Sequence, residues 1–152
     1  MPILAVNKKA RFDYELLDKY EAGLVLFGQE VKAIKSGQVS LRGSYIIPRT
    51  ENGKTELFLI NAQVPSYKPA GPLPYYDPRR ERKLLLKKWE ISKLLGKKQE
   101  QGLTLVPLKI YTNHSFLKLE FAVAKGKKKY DKRETIKKRD IDKRLRSLTK
   151  RR

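Results

Sequence analysis

The chain has no cysteine and a single histidine among its 152 residues. Disulfides and thiolate metal ligands are therefore excluded, and the usual Cys/His metal sets cannot be assembled. Lack of cysteine fits a reducing compartment. Long apolar runs are also missing. The N-terminal run, Ile3 to Val6, is too short for a signal-peptide core. Nothing approaches the ~18 consecutive apolar residues of a membrane span. These absences predict a soluble, cytoplasmic protein. The one histidine, His114, falls in a predicted hairpin turn, where an imidazole is ordinarily just solvated. Glu15, Asp18 and Glu21 cluster in sequence but alternate with apolar residues, as on the wet face of a strand. "GKKQEQG" and "KGKKK" place Gly beside Lys without the spacing of a Walker loop. No catalytic residue, metal ligand or cofactor is predicted, so the chain reads as a binding protein rather than an enzyme.

What is abundant is positive charge. Thirty-six Lys and Arg against 16 Asp and Glu give a net charge of +20. The last 28 residues, 125–152, hold 15 basic and 4 acidic side chains, or +11, which leaves +9 on residues 1–124. Charge of this size repels itself in a compact state unless a polyanion neutralises it. Nucleic acid is the expected partner, and an anionic membrane surface is the rival. The basic tracts are Lys8-Lys9-Ala10-Arg11, Arg79 to Lys83, Lys87-Lys88 and the tail. Tyr67, Tyr75, Tyr76 and Tyr130 are candidates for stacking on bases. In the tail, Ile141, Leu145 and Leu148 form one helical stripe. That stripe has no Trp or Phe and spans two turns, which favours RNA over a lipid surface. The tail's charge predicts disorder when free and a helix when bound.

The body, residues 1–124, reads as mainly β. Phe12 to Phe27 suggests one long bent strand, with Gly23 marking a bulge or a close backbone approach. "GQEVKAIKSGQ" predicts a short helix, with Glu30 in its first turn, Lys35 in its last and Gly37 as a left-handed cap. Val39 to Pro48 and Thr55 to Val64 predict strands joined at Asn52-Gly53, the second of them central. Residues 65–78 carry five prolines and one glycine and predict a surface loop. Arg79 to Gly102 contains the one substantial helix, with Ile91, Leu94 and Leu95 on its apolar face. A final hairpin turns at Thr112 to Ser115. In its first strand Val106, Leu108 and Ile110 are assigned one face. In its second, Leu117, Leu119, Phe121 and Val123 point inward, and Lys118 and Glu120 outward. Five or six mostly antiparallel strands with flanking helices suggest a small closed barrel of the oligonucleotide-binding type. A structural rRNA-binding protein is the second reading that the charge and the strands allow.

Three stretches carry a more specific signal: Asn7 to Gly37 with "YEAGL" and "G-x-EVK", Asp77 to Leu86 with "DPRRERKLLL", and Ala122 to Glu134 with "AVAKGKKKYDKRE". In this order they resemble the SsrA-binding protein (small protein B) family, the bacterial partners of transfer-messenger RNA. The resemblance implies a six-stranded antiparallel oligonucleotide-binding barrel with a basic C-terminal tail. It implies binding to the transfer-RNA-like domain of that RNA and delivery to stalled ribosomes by a monomer. The elongation factor that carries aminoacyl-tRNA takes part. Glu21, Leu85 and Lys118 match family positions tied to RNA binding, and the tract Lys8, Lys9, Arg11 belongs to the same expectation. In the tail, Lys127, Lys128, Asp131, Lys132 and Arg133 match the motif that enters the empty mRNA channel at the decoding centre. Tyr130 stands where the family places an aromatic or His able to stack on a base. Lys35 replaces a frequent Arg, so a bidentate contact there is lost.

Overall fold

The structure, a computed structural model, describes residues 2–71, 74–98 and 103–126. Its strands are β1 (Ile3–Val6), β2 (Tyr14–Leu24), β3 (Tyr45–Glu51), β4 (Lys54–Ile60), β5 (Arg82–Leu85), β6 (Leu103–Asn113) and β7 (Phe116–Gly126). The helices are α1 (Ala10–Asp13), α2 (Gly28–Lys35) and α3 (Lys88–Lys98), with a 3-10 turn at Lys68–Ala70. All strand pairs are antiparallel. The order β6-β3-β4-β5-β2-β7, with β7 pairing back onto β6, makes a near-closed ring of six strands. By paired residues its thinnest seams are the single β3–β6 pair, Ile46 with Leu105, and the two pairs each that join β5 to β2 and to β4. β1 adds outside the ring, on β6.

The ring closes because its inward positions are large and apolar. Leu57, Leu59, Leu84, Leu105, Ile110, Leu119 and Phe121 are all buried, and α2 and α3 add Ala33, Ile34 and Leu94. Each such side chain contributes roughly 1.5–3 kcal/mol of burial. Inward Leu117, Leu119, Phe121 and Val123 of β7 follow the expected alternation. Helix α2 also forms as expected, with Gly37 at φ +84 just beyond it. The β3–β4 turn places Asn52 and Gly53 at positive φ, as Asn-Gly predicts.

Several expectations change. Val106, Leu108 and Ile110 do not share a face. Pro107 pairs with Phe121 and Lys109 with Glu120, so Leu108 is an extra, bulged residue. The bulge reverses the side-chain parity. Ile110 joins the main core, while Val106 and Leu108 join Ala10, Ala122 and Ala124 in a second cluster. Phe12 and Asp13 lie in α1, and β2 ends at Leu24. The strand predicted from Val39 begins only at Tyr45. A tight turn comes first, with Ser44 N and Oγ both donating to Leu41 O and Gly43 at φ +73. Arg79 to Gly102 contains α3, but also β5. Leu94 of α3 is buried, and Ile91 and Leu95 are half-buried.

Candidate nucleic-acid interface

Paired residues in an antiparallel sheet project from the same face. Gly23 of β2 pairs with Leu85 of β5 on one side and Lys118 of β7 on the other. Lys118 in turn faces Tyr111 of β6. Leu85, Gly23, Lys118 and Tyr111 thus form one row across four strands, spaced about 4.8 Å per strand. The adjacent row is Glu21, Glu120 and Lys109. Glu21, Leu85 and Lys118, far apart in sequence, therefore meet on the outer face of the ring. Leu85 is 52% exposed, unusually so for a leucine within a sheet.

Gly23 is the gap that lets Leu85 lie flat. A Cβ added there would sit 3.3 Å from the Leu85 Cβ. The close-approach alternative holds for this glycine, and the bulge of β2 lies near Leu17 instead, between paired Leu16 and Asp18. Glu21 directly opposes Glu120, an unfavourable like-charge pair. Two neighbours offset it: the Tyr111 hydroxyl donates to Glu21 Oε2, and Lys109 Nζ lies 3.2 Å from Glu120. Burial, then the hydrogen bond to Glu21, pushes the Tyr111 phenol well above its ordinary value, so it keeps its proton. Glu21 Oε1 remains as an acceptor. Lys19, two residues before Glu21, is exposed on the same face. Tyr111 and Lys19 are members of this face that sequence patterning missed. Alternation from Ile110 already puts Tyr111 on the outer side; what the pattern could not show is its reach to Glu21, 90 residues away.

β5 is held in place from inside. Arg82 is buried, and all its N–H groups have acceptors. Nε donates to Glu30 Oε2 at 2.8 Å, and Nη1 to Ala62 O and Arg80 O at 2.9 and 3.1 Å. Nη2 donates to Tyr76 Oη and Pro78 O at 3.1 and 3.0 Å. Glu30, buried on α2, also accepts from Arg80 and from the Phe27 N–H at 2.9 Å. Arg80 stacks over the Phe27 ring at 4.1 Å. Burial would raise the Glu30 carboxyl, but the Arg80 hydrogen bond, the Phe27 amide and Arg82 together hold it below its ordinary 4.5. This cluster ties α2, the 61–80 loop and β5 together. It stands directly behind the strand that presents Leu85.

The remaining predicted residues divide. Lys8 and Lys9 are exposed in the turn before α1, and Arg11 is exposed on α1. They lie near the start of β2, where Tyr14 pairs with Gly126. Seven residues of strand, on the order of 20 Å, separate that end from Glu21. Of the tyrosines, Tyr75 is 99% exposed, whereas Tyr76 belongs to the Glu30 cluster and Tyr67 packs against the core. His114 is exposed in the β6–β7 turn. Lys127, Lys128, Tyr130, Asp131, Lys132 and Arg133 lie outside the described residues. Among the described residues, no helix is long and apolar enough to cross a membrane, and no group of three or more His, Cys, Asp or Glu side chains could hold a metal.

A near-closed antiparallel ring of six strands with few helices puts the chain in the mainly β class. Comparison then places it within that class. The family model described as SmpB protein matches residues 4–151, and the chain belongs to that family. It is 52% identical over 151 residues to the SsrA-binding protein of Thermosipho melanesiensis, covering 99% of each chain. It is 50% identical to the SsrA-binding protein of Persephonella marina, over 94% of this chain and 91% of that one. A solved chain described as "tmRNA-SmpB: a journey to the center of the bacterial ribosome" is 45% identical, with a TM-score of 0.66 over 90% of this chain and 95% of the other.

Proposed function

We propose that this chain is the non-enzymatic RNA-binding factor of trans-translation, acting with transfer-messenger RNA on ribosomes. The observation that carries the site is the convergence of Glu21, Leu85 and Lys118 around bare Gly23. The fold is of the oligonucleotide-binding barrel type, and this face grips the transfer-RNA-like domain. Lys118 neutralises a phosphate. Glu21, oriented by Tyr111, accepts from a base amino group or a ribose 2′-hydroxyl, the group that separates RNA from DNA. Leu85 packs against a base. Lys8, Lys9 and Arg11 add phosphate contacts from the other end of β2. The division of labour is a binding body and a basic tail. The tail, through Lys127, Lys128, Tyr130, Asp131, Lys132 and Arg133, occupies the vacant mRNA channel of a stalled ribosome. The protein is a cytoplasmic monomer, delivered with the elongation factor that carries aminoacyl-tRNA.

The test is a titration against the transfer-RNA-like domain, with bulk tRNA and duplex DNA as competitors. Binding at nanomolar concentration with clear preference is expected, and absence of preference sinks the reading. Lys118→Glu should weaken binding at least tenfold and reduce the salt slope by roughly one phosphate contact. A second variant, Gly23→Val, should crowd the Leu85 side chain and turn it away from the gap. Its RNA affinity is expected to fall about fivefold or more, while the melting temperature moves little. An unchanged affinity would show that Leu85 need not lie flat.

A further inference from the structure

Beside Leu85, and around the edge of the face just described, lies a groove of about 430 Å³. One wall is the β3–β4 turn with Lys54. The floor is β5, and the other wall is α3 with Lys88, Ile91 and Ser92. Leu86 and Ile91, both half-buried, supply an apolar surface within it. Three lysines line it against one carboxylate, and that carboxylate, Glu56, is already paired with Lys83 at 2.8 Å. Lys54 and Lys88, on opposite walls and both exposed, are left as the positive charges of the rim.

An apolar slot with ammonium groups on both lips suits one class of occupant. A nucleobase offers an aromatic face to aliphatic side chains, and the phosphates flanking it take the lysines. The volume is that of a small-ligand site. Leu85 is common to the groove and to the sheet face, so a single RNA strand can cross from one to the other without leaving the protein. We propose that the groove is a nucleotide-binding subsite. One unstacked base of the bound RNA lies against Leu86 and Ile91, Lys54 and Lys88 hold its phosphates, and the Ser92 hydroxyl reaches the base edge. This inference rests on the RNA-binding reading above.

The experiment uses the full chain and the transfer-RNA-like domain. Ser92→Trp fills the groove without touching the sheet face, and Lys54→Glu with Lys88→Glu reverses its lips. Each is expected to lower RNA affinity about tenfold, the charge reversal also reducing the salt slope by one to two contacts. Thermal melts matching wild type show that folding is intact. A photo-crosslinking amino acid at position 92 should label one or two adjacent nucleotides. If both variants fold and bind as wild type does, or if the cross-linker labels no RNA, the subsite is overturned. Should wild type bind while Lys118→Glu alone is impaired, only this inference falls. A wild type that shows no RNA preference removes the wider reading as well.

Discussion

Replacing Glu30 by Gln is expected to destabilise the protein by about 3–5 kcal/mol, the usual cost of removing one partner from a buried ion pair. The melting temperature should fall by on the order of 10 °C or more. The reason is the company Glu30 keeps. Its side chain is buried, as is that of Arg82, and Arg80 is only partly exposed. Without the carboxylate two guanidinium groups lose their counter-charge, and since glutamine keeps one oxygen, either Arg82 Nε or the Arg80 and Phe27 N–H donors then face an amide NH2 in place of an acceptor. The exposed pairs Arg49–Glu81 and Asp18–Lys97 are screened by water, and their loss should be far milder. A double variant tests whether the cluster acts as a unit. Glu30→Leu with Arg82→Leu should cost clearly less than the sum of the two single changes, because no buried charge is stranded. Additive costs would refute the coupling. Acid provides an independent check. The folded Glu30 value lies below the ordinary 4.5. Its contribution is therefore complete above that value and is lost as pH falls through the folded one. The Gln variant should show a correspondingly weaker loss of stability over that acid range. RNA affinity should fall too, since β5 presents Leu85 on its outer side.

The same cluster explains where sequence reading succeeded and where it failed. The β3–β4 and β6–β7 hairpins and the inward face of β7 were legible because local chemistry and long-range packing agree there. Asn52-Gly53 specifies its own turn, and Leu117 to Val123 alternate openly. β5 was illegible because an inward position of the ring is occupied by arginine. Arg82 and Leu84 point in, while Lys83 and Leu85 point out. A period-2 pattern written with a charge inside reads as a polar helix start. Only the partner, Glu30, 52 residues away, gives that arginine a reason to be buried. Bulges erased parity in the same way. Nothing local marks Leu108 as the extra residue, except that Pro107 cannot donate to a ladder. The candidate site was legible as three separate positions through family resemblance. Their convergence was not, because it depends on the register of β2 against both β5 and β7.

Ending the chain at Gly126 is expected to leave specific RNA binding in place and to abolish tagging on stalled ribosomes. The cut belongs there rather than at Ala124, because Lys125 and Gly126 still pair with Glu15 and Tyr14 of β2. It removes 14 basic and 4 acidic residues, a net +10 of the chain's +20. Half of the charge cannot vanish without consequence for affinity. At low salt, binding to every RNA should weaken together, because counterion release carries no sequence information. The informative quantity is the ratio between the transfer-RNA-like domain and bulk tRNA at near-physiological salt. Glu21, Leu85 and Lys118 all lie within the retained strands, so that ratio should change by less than about threefold, within roughly 0.7 kcal/mol. Tagging, measured in a reconstituted translation system on a message without a stop codon, should drop to background. Two results would overturn this division. One is a ratio that collapses to unity, which would put specificity in the tail. The other is tagging that survives the cut, which would leave the body sufficient on the ribosome. A charge-matched control decides between chemistry and mere charge. If a scrambled tail of the same composition restores low-salt affinity but not tagging, the order "KGKKKYDKR" matters, and Tyr130 is the first single position to vary.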